Sequence, residues 1–116
     1  MNHYFEGTVI NNLNQSPETS LTVFKKKEDR WEKLLDPFYT GETKNFPRIE
    51  SWQKVVTISF AINHPIGNRT CKVNKMENGT YKGPTKVGNF KWEVEITSNK
   101  ESYSSPNANI EVEISD

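Results

Sequence analysis

Strict alternation of apolar and polar residues in three segments constrains the fold of this chain more than any other sequence feature. The segments are residues 55–62, 91–97 and 108–115. A period of two places every second side chain on the same face of a β-strand. We therefore predict three strands, each with one face buried in a core. The predicted inward residues are Val56, Ile58, Phe60, Ile62, Trp92, Val94, Ile96, Ala108, Ile110, Val112 and Ile114.

Weaker alternation predicts further strands within residues 5–10, 21–25 and 69–75. The pair Asn78-Gly79 favours a hairpin turn, because both residues tolerate positive φ. Short strands separated by turns are typical of an all-β protein. We expect a single antiparallel β-sandwich domain spanning residues 1–116, with about six to eight short strands.

Two interpretations remain open for residues 31–38. Their apolar side chains recur at the spacing i, i+3, i+4 and i+7, which is typical of an amphipathic helix. Pro37 disfavours helical geometry at the residue before it and limits any helix to about two turns. An irregular strand fits the segment equally well. Two further turns are predicted at Ser16-Pro17 and at residues 104–107.

Charge and cysteine content narrow the classes of function. Lys plus Arg and Asp plus Glu each number 15, so no overall field draws the protein to nucleic acid. The run Lys25-Lys26-Lys27 precedes Glu28-Asp29 and is a poor nucleic-acid footprint.

Cys71 is the single cysteine, which excludes an internal disulfide and favours a reducing compartment of synthesis. The first residues lack the basic and apolar regions of a signal peptide, so we expect a soluble, unprocessed chain.

Catalytic and metal-binding constellations are not evident. The two histidines, His3 and His64, are far apart in the sequence, and a turn proline follows His64. Cys71 occupies an inward strand position, where a cysteine behaves as a small inert hydrophobe. The paired glutamates of the alternating strands point outward and keep the sheets soluble. We therefore expect a protein that is not an enzyme and that binds neither a metal nor a cofactor.

An aromatic-rich segment, DRWEKLLDPFYTGETKNFPRIESW at residues 29–52, is the strongest candidate for a binding site. A small sandwich core holds two or three of its rings, and Trp31 and Phe46 are candidates for inward positions. The remaining rings are expected to cluster at one end of the sandwich, facing a lipid headgroup region or a partner's pocket. In the alternative interpretation, the loops that carry them fold over the core. The predicted lipid- or partner-binding residues are Trp31, Phe38, Tyr39, Trp52 and Trp92.

The order of elements resembles the aegerolysin family, in particular the small component of two-component Bacillus insecticidal toxins. The resemblance is carried by TVINNLNQS, SLTVF, Arg30-Trp31 ahead of Pro37, Asn45-Phe46, VTISFAIN and NANIEVEIS. It implies a compact β-sandwich that binds membrane lipid, sphingolipid being one candidate, and forms pores in target cells with a larger partner protein. On this interpretation Trp31, Tyr39, Trp52 and Trp92 supply the lipid contacts, and of these four Trp31 stands at a position that the resemblance itself covers.

Three hypotheses of function follow. The first is a non-enzymatic, membrane-binding toxin component that is released and acts at target-cell membranes. The second is a protein-binding module, such as an inhibitor or an immunity-type protein, whose aromatic end forms the interface. The third is a carbohydrate-binding sandwich in which Trp52 or Tyr39 stacks on a sugar ring. The sequence leaves the oligomeric state open.

Overall fold

A computed structural model describes residues 3–14, 19–99 and 108–116. These residues form nine strands and no helix, whereas the alternation predicted at most eight strands. The predicted turns at Ser16-Pro17 and at residues 104–107 lie outside the described residues. The strands are β1 (His3–Asn12), β2 (Ser20–Lys27), β3 (Arg30–Tyr39), β4 (Thr43–Ser51), β5 (Val55–Ile62), β6 (Thr70–Glu77), β7 (Gly79–Val87), β8 (Lys91–Ser98) and β9 (Ala108–Ser115).

The strands form two sheets in a sandwich-like, two-layer arrangement. The four-stranded sheet has the order β4-β1-β9-β6, and the five-stranded sheet has the order β3-β2-β5-β8-β7. All neighbouring strands pair antiparallel except β1 and β9, which are parallel, with Phe5 opposite Ala108 and Asn12 opposite Ser115. The expectation of a purely antiparallel sandwich is therefore wrong at this central pair.

One hydrophobic core lies between the sheets, and it confirms the alternating pattern. Every inward residue predicted for β5, β8 and β9 is buried. Leu21 and Val23 of β2 are also buried, as expected. Burial of large apolar side chains supplies most of the stabilisation, at about 1.5–3 kcal/mol for each fully buried ring or branched chain.

Residues 30–39 form strand β3 and not a helix. Their pairing with β2 shifts register between Leu21 and Val23 and again between Val23 and Phe24. Each shift interrupts the inward and outward alternation of the strand. Leu34 and Leu35 are consecutive, yet both pack partly against the core. This irregular strand reproduces the apolar spacing of a helix.

Strands β4 and β7 have no counterpart in the predicted strands. Both are edge strands and expose most of their side chains. Pro47 and Pro84 lie within them, and proline is tolerated at edges because its missing N–H costs no ladder hydrogen bond there.

Asn78-Gly79 does not form the predicted hairpin turn. Asn78 adopts positive φ at 57°, as its sequence context favours. However, β6 lies in the four-stranded sheet and β7 in the five-stranded sheet. The chain therefore changes sheet at this residue.

Candidate functional site

Two of the five predicted binding rings lie in the core. Phe38 is 2% exposed and Trp92 is 4% exposed, and both belong to the buried cluster between the sheets. Phe38 lies opposite Leu21, and Trp92 lies opposite Phe60. Neither ring is presented to a membrane or to a partner. We correct this part of the predicted site and assign both side chains to core packing.

Trp31 lies on the outer face of the five-stranded sheet and not in the core, whereas Phe46 is buried as predicted. The Lys91 Nζ is 4.8 Å from the centre of the indole ring, a cation–π geometry. Ser59 points to the same outer face but is only 2% exposed, because Phe24 and Trp31 lie beside it. Trp31 therefore covers part of this sheet face and is itself half-buried.

Tyr39 and Trp52 lie at opposite ends of the molecule. Tyr39 ends β3, Trp52 follows β4, and β4 runs from Thr43 to Ser51 between these two positions. At about 3.3 Å per residue, β4 separates the two rings by roughly 25 Å. The expectation that the rings cluster at one end is therefore wrong. The structure separates them into two core rings, one ring on a sheet face and one ring at each end.

Trp52 has the most exposed large apolar side chain among the described residues, with 78% of its surface accessible. It lies in the short connection between β4 and β5, which crosses from one sheet to the other. Ser51 Oγ accepts a hydrogen bond of 3.0 Å from the Gln53 N–H, and the Lys54 carbonyl accepts one of 2.9 Å from the Ser98 N–H. These bonds fix the backbone on both sides of Trp52.

We call the surface formed by residues 25–28 and 49–56 the Trp52 surface. It encloses an open groove of about 390 Å³ beside the indole ring. Val55, which is 38% exposed, extends the apolar area next to Trp52. The lysine run Lys25-Lys26-Lys27 also lines the groove. No local sequence pattern predicts this proximity, because it depends on the pairing of β2 with β5.

The charges in and beside the Trp52 surface largely cancel, because Lys25, Lys26, Lys27 and Lys54 are offset by Glu28, Glu50 and the neighbouring Glu32, which leaves one excess positive charge. Glu32 lies 3.8 Å from the Lys25 Nζ and 3.7 Å from the Lys27 Nζ. Glu28 and Glu50 line the groove and offset the charge of the remaining lysines. Solvent screens exposed ion pairs of this kind, and each contributes little to stability. The surface therefore combines an apolar centre with a mixed-charge rim.

Groups that could carry chemistry lie elsewhere. Cys71 packs partly against the core, and burial raises the pKa of its thiol to about 12, which leaves it protonated at neutral pH. His64 is exposed between β5 and β6, whereas His3 is buried at the start of β1. Within residues 3–14, 19–99 and 108–116, no three His, Cys, Asp or Glu side chains are grouped so as to hold a metal ion.

Across the part of the chain that the structure describes, no helix is long and apolar enough to cross a membrane. No protein-family profile matches the sequence, and no curated protein or solved structure matches it significantly.

Proposed function

We propose that the protein is a non-enzymatic binding protein that attaches to membrane lipid through the Trp52 surface. The observation that supports this most directly is the 78% exposure of Trp52 on a backbone held by hydrogen bonds. An exposed indole loses apolar surface to water when it enters the lipid headgroup region, and its ring N–H keeps a polar partner there. Val55 adds a second apolar contact at the same position.

The size of this contact argues for weak binding by a single molecule. Burial of one large apolar side chain contributes about 2–3 kcal/mol, and stable membrane anchoring requires more than one such signal. Several copies, or a larger partner protein, would strengthen attachment through multivalency. This is the arrangement that the resemblance to the aegerolysin-type toxin components implies, and we include a larger partner and action at target-cell membranes in the proposal.

Vesicle flotation with mixed natural lipids, including sphingolipids, tests this proposal. We expect the wild-type protein to float with the vesicles and its tryptophan emission to shift to shorter wavelength. Trp52→Ala should remove both effects. Tyr39→Ala is the matched control, because Tyr39 is 48% exposed at the opposite end. Equal flotation of Trp52→Ala and the wild type would refute the proposed contact.

A protein-binding module, of the inhibitor or immunity type, is the second candidate. The apolar centre and mixed-charge rim of the Trp52 surface match the anatomy of a protein interface, in which tryptophan is enriched among the dominant residues. In that case the wild-type protein should co-purify with one partner, Trp52→Ala should lose it, and neither should float with vesicles.

A further inference from the structure

The outer face of the four-stranded sheet contains a polar recess that is separate from the Trp52 surface. The recess forms at a β-bulge, where Phe5 pairs with Ile49 but Gly7 pairs with Phe46. Glu6 therefore faces two residues of β4, one of which is proline. Bulges bend a strand locally and often lie beside binding sites. The result is an open recess of about 330 Å³.

We call this feature the bulge recess; it is lined by Glu6, Gly7, Thr8, Asn45, Phe46, Arg48 and Asn109. On the core side of the same sheet, Gly7 leaves no room for a side chain, because a Cβ there would collide with the buried Phe46 ring. The Phe46 ring therefore packs against the Gly7 backbone from the core side, beneath the recess. Polar side chains from three adjacent strands form the rim.

Two hydrogen bonds fix the orientation of the rim. The Arg48 Nε donates to Glu6 Oε1 at 2.8 Å, and the Thr8 hydroxyl donates to Asn45 Oδ1 at 2.7 Å. Arg48 also lies over the ring of Tyr4, 5.5 Å from its centre. These contacts hold a carboxylate, a guanidinium, a hydroxyl and a carboxamide in place before any ligand binds.

The rim retains hydrogen-bonding capacity that the described residues do not use. The Asn45 amide nitrogen carries two donors, and neither is bonded to another described residue. Asn109 lies directly beside Glu6 in the parallel register of β1 and β9, and its carboxamide makes no hydrogen bond within the described part of the chain. The recess therefore offers donors and acceptors side by side.

We propose that the bulge recess binds a neutral saccharide. Each hydroxyl of a sugar can both donate and accept a hydrogen bond. The carboxamide, carboxylate and guanidinium groups of the recess together supply the matching acceptors and donors. Glu6 and Arg48 neutralise each other, so the recess has no net charge to select an anion or a cation. Tyr4 lies two residues before Glu6 on the same face, and its ring packs against the Arg48 guanidinium beside the recess.

The polar surface continues beyond the recess, which suits a ligand longer than one sugar. Thr8 is next to Glu111 in the register of β1 and β9. Asn74 donates to Glu111 at 3.2 Å and to Glu113 at 2.8 Å, and Asn12 donates to Glu113 at 2.8 Å. These planar polar groups extend across the outer face from the recess.

Backbone and side-chain amide NMR spectra, recorded during titration with maltose, cellobiose and diacetylchitobiose, test the proposal. We expect at least one disaccharide to shift the resonances of residues 6–8 and the side-chain amides of Asn45 and Asn109. Asn109→Ala should weaken that binding about tenfold, the loss of one or two hydrogen bonds. Asn89→Ala is the control, because Asn89 is an exposed carboxamide on the β7–β8 turn.

The same experiment contains the results that would overturn the proposal. Absence of shifts with all three sugars, shifts confined to other surfaces, or equal binding by the wild type and Asn109→Ala would each exclude the saccharide site. The Trp52→Ala variant should bind the sugar as the wild type does. Saccharide binding and vesicle binding therefore succeed or fail independently.

Discussion

The two ends of the molecule carry exposed aromatic rings but differ in how the chain around them is held. At the Tyr39 end, the β3–β4 connection is fastened to β1: the Gly41 N–H donates to the Asn11 carbonyl at 2.8 Å, and the Asn11 N–H donates to the Glu42 carbonyl at 3.0 Å. At the other end, hydrogen bonds fix the backbone beside Trp52 but leave its ring exposed. The hydrogen bonds at the Tyr39 end therefore attach the β3–β4 connection to β1 and stabilise the fold, whereas the connection at the other end exposes the Trp52 ring to solvent.

The largest expected contrast is between two tryptophans, Trp92 in the core and Trp52 at the tip. Trp92→Ala should lower the free energy of unfolding by about 3–5 kcal/mol, because it removes a buried ring and leaves a cavity. Trp52→Ala should change it by less than about 0.5 kcal/mol, the usual range for an exposed site. Urea unfolding followed by circular dichroism measures both. A large loss of stability in Trp52→Ala would show that the ring supports the fold.

The Asn11 side chain connects the segments that meet at the Tyr39 end, and its removal should have the next largest effect on the free energy of unfolding. Its side chain is fully buried and donates to the carbonyls of Phe38 at 3.2 Å and Thr19 at 3.4 Å. Asn11→Ala leaves these buried carbonyls without that donor and should cost about 2–3 kcal/mol in urea unfolding.

Asn12→Ala is the neighbouring control for this change. Asn12 is exposed and bonds only to the Glu113 carboxylate among the described residues. We expect its loss to cost less than about 1 kcal/mol. Equal effects of the two substitutions would show that Asn11 does not fasten this end. Neither variant should alter vesicle binding at temperatures where it remains folded.

The sequence predicted the central strands because alternation reports a buried face directly. It did not predict β4 or β7, since an edge strand has little to bury and tolerates proline and charge. Phe38 and Tyr39 show why the site was harder to predict. They are adjacent in one strand, yet one is 2% exposed and the other 48% exposed. Only the register with β2 decides which ring points inward, and bulges shift that register.

The near-cancellation of charge at the Trp52 surface predicts a small effect of salt. If attachment depended on the lysine run, raising the ionic strength from low to physiological values would weaken it strongly. Because Glu28, Glu32 and Glu50 offset these lysines, we expect vesicle binding to change by less than about twofold. Flotation with neutral and anionic vesicles at several salt concentrations measures this. A steep loss with salt would make the lysines, and not Trp52, the main attachment.

The smallest expected effect is the pH response of Glu42 at the Tyr39 end. The Tyr39 N–H donates to its carboxylate at 3.0 Å, and this bond lowers the pKa of Glu42 from its ordinary value of 4.5. A carboxyl with a lowered folded-state pKa stabilises the fold above its unfolded pKa, and this contribution disappears as pH falls through the folded value. Glu42→Gln should therefore lose a slight stabilisation at neutral pH, and the two proteins should converge in stability well below pH 4.5. Thermal unfolding across this range measures the difference, and an unchanged gap at low pH would mean that Glu42 acts through packing and not through its charge.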